Sequence, residues 1–410
     1  MVEKLEVDFL APEILRNPHP TLARMREVAP IYHVQHKEFG SYPWLLTRYG
    51  DSIKLLNDER FTKDDERIPG RGKPKGELSP DEMMMAAAGA INRHMLTLDP
   101  PDHTRLRGLV HKAFTPNMIR ALETRIQEIT DGLIDRMQEK GQFDFIREFA
   151  FPLPVTVIAE LLGVPKEDQL KFGEWSRAII MGGTRGADLE KVGAAALEFI
   201  MYFHEKFDER RENPKDDLIT ALVQTEEAGD KLDQQELISM VFLLLVAGHE
   251  TTVNLLANGM LALLQHPDQK QLLAEQPVLI KTAVDELLRY DGPIGVSTMR
   301  WALEDVDYYG VTIPAGSMVV ASLLSANRDP EMFANPDALD LTRSPNKHIA
   351  FGNGIHYCVG APLARMEGSI ALNTLLRRVP NLALTVGVDE LQWNPTILLH
   401  GMQAMPVSVE

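Results

Sequence analysis

Cysteine is nearly missing from this chain. Its 410 residues contain one, Cys358. That excludes an internal disulfide and a multi-cysteine metal site, and a solitary thiol fits a reducing compartment. Positive charge is also in deficit. The 42 Lys+Arg face 59 Asp+Glu, a formal net charge of -17. Phosphate repels such a surface, so nucleic acid is not an expected partner. No long apolar run opens the chain. MVEKLEVDFLAPEILRNP is charged every few residues, so neither a signal peptide nor a membrane anchor is expected, and the expected location is cytoplasmic. Internal repeats and blocks of like charge are lacking. The glycines of MGGTRGAD (Met181 to Asp188) have no preceding strand and no Gly-Lys-Ser/Thr ending, so they read as a connector between two helices rather than a phosphate cradle. No flavin or nicotinamide fingerprint is present either.

What is present is a large apolar fraction. Hydrophobic residues make up 44% and charged residues 25%, the balance of a globular protein with a sizeable core. YHVQ and PWLLTRY (Tyr32 to Gln35, Pro43 to Tyr49) read as a β-hairpin. Residues Lys63 to Glu82, rich in Gly and Pro, read as a loop. From Pro101 to about Val246 apolar residues recur at helical spacing. After Tyr290 short strands are expected in STMRWAL and VTIPAGSMVVAS, then a helix after Cys358, then closing strands in LALTVG and AMPVSV. No linker divides the chain, which reads as one mainly helical unit. The stretch from Ser239 to Leu264 has the length of a membrane span. His249, Glu250, Thr251, Thr252 and two asparagines in its middle argue instead for a helix buried in protein.

The residues around Cys358 form FGNGIHYCVG, Phe351 to Gly360. A lone cysteine is often just a small buried apolar residue. Here the following segment, APLARMEGSIALNTLLRRV, has helical periodicity, with Leu363, Met366, Ile370 and Leu375 on one face and Pro362 in the first turn. Cys358 thus precedes a helix N-terminus, where unpaired N–H groups and the helix dipole favour thiolate. Gly354 and Gly360 let the backbone bend and let a flat ligand come close. A thiolate beside a flat ligand meets the needs of axial haem ligation.

The segment resembles the haem-binding loop of the cytochrome P-450 family, Phe-x-x-Gly-x-x-x-Cys-x-Gly, with Phe351, Gly354, Cys358 and Gly360 on the motif and His356 where a propionate partner stands. The resemblance spans nearly the whole chain and implies a mainly α fold with small β-sheets, a single unit over 1–410. It also implies haem b (iron protoporphyrin IX) with Cys358 as the iron ligand. AGHETT, Ala247 to Thr252, is a second constellation. A buried glutamate needs partners or a changed protonation state, which a helix kinked at Gly248 also allows. The family carries Ala/Gly-Gly-x-Asp/Glu-Thr in the helix crossing the distal haem face. Ala247, Gly248, Glu250 and Thr251 match it. The resemblance gives Gly248 space for dioxygen, Thr251 a hydrogen bond to it and Glu250 a proton relay. His249 and Thr252 receive no chemistry.

By the same resemblance, ELLR supplies the scaffold pair Glu286 and Arg289, joined by Arg343 of DLTR, although Leu339 stands where the family often has Phe. His103, Arg107 and Arg300 join His356 around the propionates. Met85, Leu244, Ala247, Ile294, Val296 and Leu399 are pocket candidates for a medium-to-large apolar substrate. Residues His103 to Arg120 hold four Lys/Arg and no acid. Lys112, His111 and nearby arginines are expected to dock an acidic ferredoxin-type electron donor, itself served by a reductase. The expected reaction is monooxygenation with dioxygen. A peroxide-driven peroxygenase, a non-oxygenating haem isomerase or dehydratase, and a haem sensor are the alternatives. No membrane partner is expected.

Overall fold

The structure, a computed structural model, describes residues 7–34, 43–71, 91–181, 188–227 and 230–409. Its contacts group into two compact units. The first comprises Met1–Thr62, Thr124–Leu153 and Glu250–Glu410; the second, Lys63–Glu123 and Pro154–His249.

In the first unit the expected hairpin forms. Strands Ile31–His33 and Trp44–Leu46 pair antiparallel, with Ile31 opposite Leu46. The sequence does not reveal that Trp44–Leu46 also pairs in parallel with Met318–Ala321, far along the chain. Arg300–Ala302 and Phe61–Thr62 complete a five-stranded sheet. Its two faces bury different clusters, because successive side chains of a strand point to opposite sides. Ile31, Leu46, Val319 and Ala321 lie in one; Tyr32, Leu45 and Val320 lie in the other with Leu22 and Met25. The closing strands Ala383–Leu384 and Pro406–Ser408 form as expected. Their third partner, Gln142–Asp144, interrupts a stretch expected to be mainly helical.

The described part of the second unit is mainly helical and its core is rich in aromatic rings. Phe172, Phe199, Phe203 and Phe207 are fully buried and pack at tilted angles, with centroids 4.6–6.2 Å apart, a favourable separation for such rings. Two of its helices start on acidic caps. Asp188 accepts from Lys191 N at 3.2 Å, and Asp217 from Thr220 N at 2.8 Å, satisfying donors the helix leaves open. Asp217 also receives Arg210 Nε at 2.6 Å, away from solvent.

The membrane-like stretch forms the helix Gln234–Gln265, the long helix below. It is long and apolar enough to cross a bilayer, but 72% of its most apolar window is buried within the protein. It is a core helix. The expected loop Lys63 to Glu82 contains a short 3-10 turn, Asp65–Arg67; its residues 72–82 lie outside the described residues.

The helix after Cys358 runs Ala361–Arg378, with Pro362 in its first turn and Arg377 and Arg378 in its last. Its buried face differs from the expected one. Leu363, Glu367, Gly368, Ala371, Leu372 and Leu375 are buried, whereas Met366 and Ile370 are only half-buried. A stripe chosen by apolar residues missed the rotation because Glu367 and Gly368 occupy the inward side. Gly368 is there for close packing: a Cβ on it would lie 3.3 Å from Leu255 Cδ2 and 3.4 Å from Val284 Cγ1.

Candidate active site

The cysteine loop is closed by its own backbone. Cys358 N donates to Phe351 O at 3.0 Å, and Tyr357 N to Gly354 O at 3.0 Å, around the 3-10 turn Gly354–His356. Gly354 has φ +74, a region costly for residues with a Cβ. A Cβ there would also lie 2.6 Å from Asn57 Oδ1 and 3.0 Å from Leu56 O. The end of the helix Tyr49–Leu56 therefore clamps the loop, and Asn57 Nδ2 donates to Asn353 Oδ1 at 2.7 Å. From one turn into the following helix, Arg365 places its guanidinium 4.5 Å from the Phe351 ring centroid. It donates from Nε to Asp285 at 2.7 Å and from Nη1 to Tyr357 OH at 3.4 Å. Cys358 itself is exposed, three residues before the helix begins at Ala361, where the helix dipole favours negative charge.

Arg300 belongs to the same constellation. It is buried, and Nη2 lies 3.5 Å from Leu56 O, the carbonyl that also bounds Gly354. The sheet and the cysteine loop thus meet across residues 56–57, and His356 stands half-buried in that loop. In the second unit His103 and Arg107 share a face of the helix Asp102–Ala113, with His103 buried and Arg107 half-buried.

The long helix changes character at its middle. Residues 241–245 and 252–263 are buried throughout. Between them Ala247 is exposed and Glu250 and Thr251 are half-buried; at spacings of three and four these share one face. A Cβ on Gly248 would lie 3.1 Å from Ile158 Cδ1, so close packing against the helix Pro152–Leu162 is itself a reason for glycine there.

Glu286 has no exposed surface. Its Oε1 accepts from Arg289 Nη2 at 2.8 Å, Asp340 N at 3.0 Å and Arg343 Nε at 3.1 Å. Oε2 accepts from Arg289 Nε at 2.8 Å, Arg343 Nε at 3.0 Å and Asn346 Nδ2 at 3.1 Å. Arg289 spends its remaining donors on the carbonyls of Asn327, Pro336 and Ala338. Sequence reasoning missed Asn346 and the Asp340 amide, which carry no pattern of their own. It also missed Glu367, fully buried, with no hydrogen-bond partner for Oε2 among the described residues; burial pushes this carboxyl up to about 8.

Among the pocket candidates, Ile294 and Leu399 form an antiparallel bridge, and Val296 bridges Ser322. Neighbouring backbone bonds lock this crossing: Gly295 N to Leu398 O and His400 N to Pro293 O, both 2.9 Å. His400 stacks on Trp393 at 4.3 Å and meets Asp291 Oδ1 at 3.1 Å. Leu244 is buried. Met85 lies outside the described residues.

A mainly helical chain that offers one exposed cysteine at a helix N-terminus, in a loop braced by glycine, arginine and phenylalanine, has the build of a haem-thiolate enzyme. The residues present fit that group, since the thiol is exposed and the Ala247–Thr251 face is open between buried stretches of its helix. The family profile "Cytochrome P450" matches residues 185–380. The chain is 45% identical over 410 residues to the polyketide biosynthesis cytochrome P450 PksS of Bacillus subtilis (strain 168), covering 100% of both. The solved structure of PksS superposes with TM-score 0.89, over 98% of this chain and 100% of that one. The vitamin D(3) 25-hydroxylase of Pseudonocardia autotrophica is 43% identical over 404 residues, 98% of this chain and 96% of that protein. Myxobacterial CYP267B1, solved with myristic acid, gives TM-score 0.91 at 43% identity, over 98% and 99% of the two chains. The chain belongs to the cytochrome P450 family. It is a monooxygenase-type oxidoreductase of the bacterial kind, and its cofactor is haem b.

Proposed function

We propose that this enzyme inserts one oxygen atom of dioxygen into a large, mostly apolar small molecule, with Cys358 holding the haem iron and Glu250 and Thr251 delivering protons. The observation that carries the reading is the accessible Ala247–Glu250–Thr251 face between the buried stretches 241–245 and 252–263 of the helix. The haem, when bound, supplies reductive dioxygen activation and oxygen transfer, with thiolate ligation favouring O–O cleavage. His356, Arg300, His103 and Arg107 are the residues to hold its propionates. Reducing dioxygen to water and hydroxylated product consumes two electrons and two protons. The Thr251 hydroxyl, donor and acceptor at once, holds a proton over the reacting face, and the half-buried Glu250 carboxylate resupplies it from solvent. Leu244, Ile294, Val296 and Leu399 are the apolar walls. Of the named relatives, one is a vitamin D(3) 25-hydroxylase, one belongs to polyketide biosynthesis and one was solved with myristic acid, which supports a bulky or long apolar substrate.

The electrons are proposed to come from a ferredoxin-type protein. His111, Lys112 and Arg120 are exposed in an acid-free segment. Partial desolvation of its ring, then the Arg107 guanidinium, hold the His111 imidazole below its ordinary value, so at neutral pH the patch's charge rests on Lys112 and the arginines. The test is turnover of a bound apolar compound with ferredoxin, its reductase and dioxygen. Thr251→Ala is expected to consume reductant at a comparable rate while releasing more hydrogen peroxide and less product. Equal product from wild type and Thr251→Ala, or turnover supported only by added peroxide, would overturn the reading.

A further inference from the structure

His249 stands between Gly248 and Glu250, and neither haem binding nor proton delivery gives it a task. Its side chain is fully buried. Nδ1 lies 2.8 Å from Leu245 O, and Nε2 lies 3.4 Å from Ser176 Oγ, on the helix Gln169–Met181. A carbonyl only accepts, so Nδ1 carries the proton. Nε2 is then the acceptor, and the Ser176 hydroxyl donates to it. The intrahelical bond fixes the tautomer and the second nitrogen docks a neighbouring helix. The same arrangement recurs just past the end of the long helix. His266 Nδ1 lies 2.8 Å from Ala262 O, and its Nε2 lies 3.4 Å from Tyr290 OH on the helix Ile280–Asp291.

Two successive residues of the long helix are therefore keyed to two different helices of the second unit: Gly248 against Ile158 and His249 against Ser176. Residues two apart on a helix differ by about 200°, so Thr251 is presented on the side opposite His249. A rotation that released His249 would swing Glu250 and Thr251 with it. We propose that His249 is a positioning residue that, through Ser176, fixes the rotation of the long helix at the turn presenting Glu250 and Thr251. This rests on the proton-delivery reading of those two residues.

The test pairs amide hydrogen exchange over residues 245–252 with the ratio of peroxide to product during turnover. Wild type, His249→Phe, Ser176→Ala, the double variant and Thr251→Ala are compared. His249→Phe and Ser176→Ala are each expected to speed local exchange about five-fold, the worth of one lost hydrogen bond. Each is also expected to raise the peroxide ratio about two- to five-fold, with haem content unchanged. The double variant should be no worse than His249→Phe, because both break one link. If His249→Phe does not fold, Ser176→Ala carries the test alone. Unchanged exchange, additive effects, or an unchanged peroxide ratio where Thr251→Ala raises it, would overturn the proposal. A Thr251→Ala ratio equal to wild type would instead show that the proton-delivery reading has failed.

Discussion

The cysteine loop and the Glu286 cluster lie in the same unit and spend their polar groups in opposite ways. Glu286 and Arg289 have no exposed surface, and six contacts of 2.8–3.1 Å surround the carboxylate. The loop closes its backbone but leaves the Cys358 thiol exposed. A saturated buried charge is a fastener, since nothing remains with which to bind a substrate. An accessible group held by a fully determined backbone is a site. Glu367 fits neither description, being buried with one oxygen unpartnered among the described residues.

This contrast can be broken in three places. The largest effect is expected at Glu286. Glu286→Ala leaves Arg289 charged and buried without its partner, a loss of about 3–5 kcal/mol; soluble yield and haem content should both collapse. A variant with near-normal thermal stability would remove the fastener reading. A smaller effect is expected at Gly354. Gly354→Ala forces a side chain into positive φ against Asn57, costing about 1–2 kcal/mol from the backbone alone. Haem should dissociate faster, and adding Asn57→Ala should recover part of the loss; no recovery would place the strain elsewhere. The smallest effect is a pH dependence at Glu367. An unfolded glutamate releases its proton near 4.5, whereas the folded one, pushed up by burial, releases it near about 8. Between these values the folded state holds a proton that the unfolded state lacks, so stability falls as pH rises through the window. Glu367→Gln carries no such penalty. Its thermal midpoint should gain on wild type by at least about 2 °C between pH 5 and pH 8, and a constant difference would contradict the assignment.

The ease of reading from sequence followed the range of each interaction. The Phe351–Gly360 loop, the hairpin at Ile31–Leu46 and the helix beginning at Ala361 are local, and short-range patterns announce them. The parallel pairing of Trp44–Leu46 with Met318–Ala321, the strand Gln142–Asp144 and the Asn346 bond to Glu286 join segments far apart in the chain. No periodicity encodes such partners. Hydrophobicity alone does not reveal the rotation of the Ala361–Arg378 helix, because a glutamate, Glu367, faces inward. The His249–Ser176 contact joins residues 73 apart, and the only sequence signal was an unexplained imidazole in an apolar helix.

The claim on which the account depends is thiolate ligation by Cys358. The direct measurement is the absorption spectrum of the dithionite-reduced, carbon monoxide-bound protein, taken for wild type and Cys358→Ser. The account predicts the strongly red-shifted Soret band of sulfur ligation in wild type and its loss in the variant. The same band in both, or its absence from the wild-type protein, would contradict it.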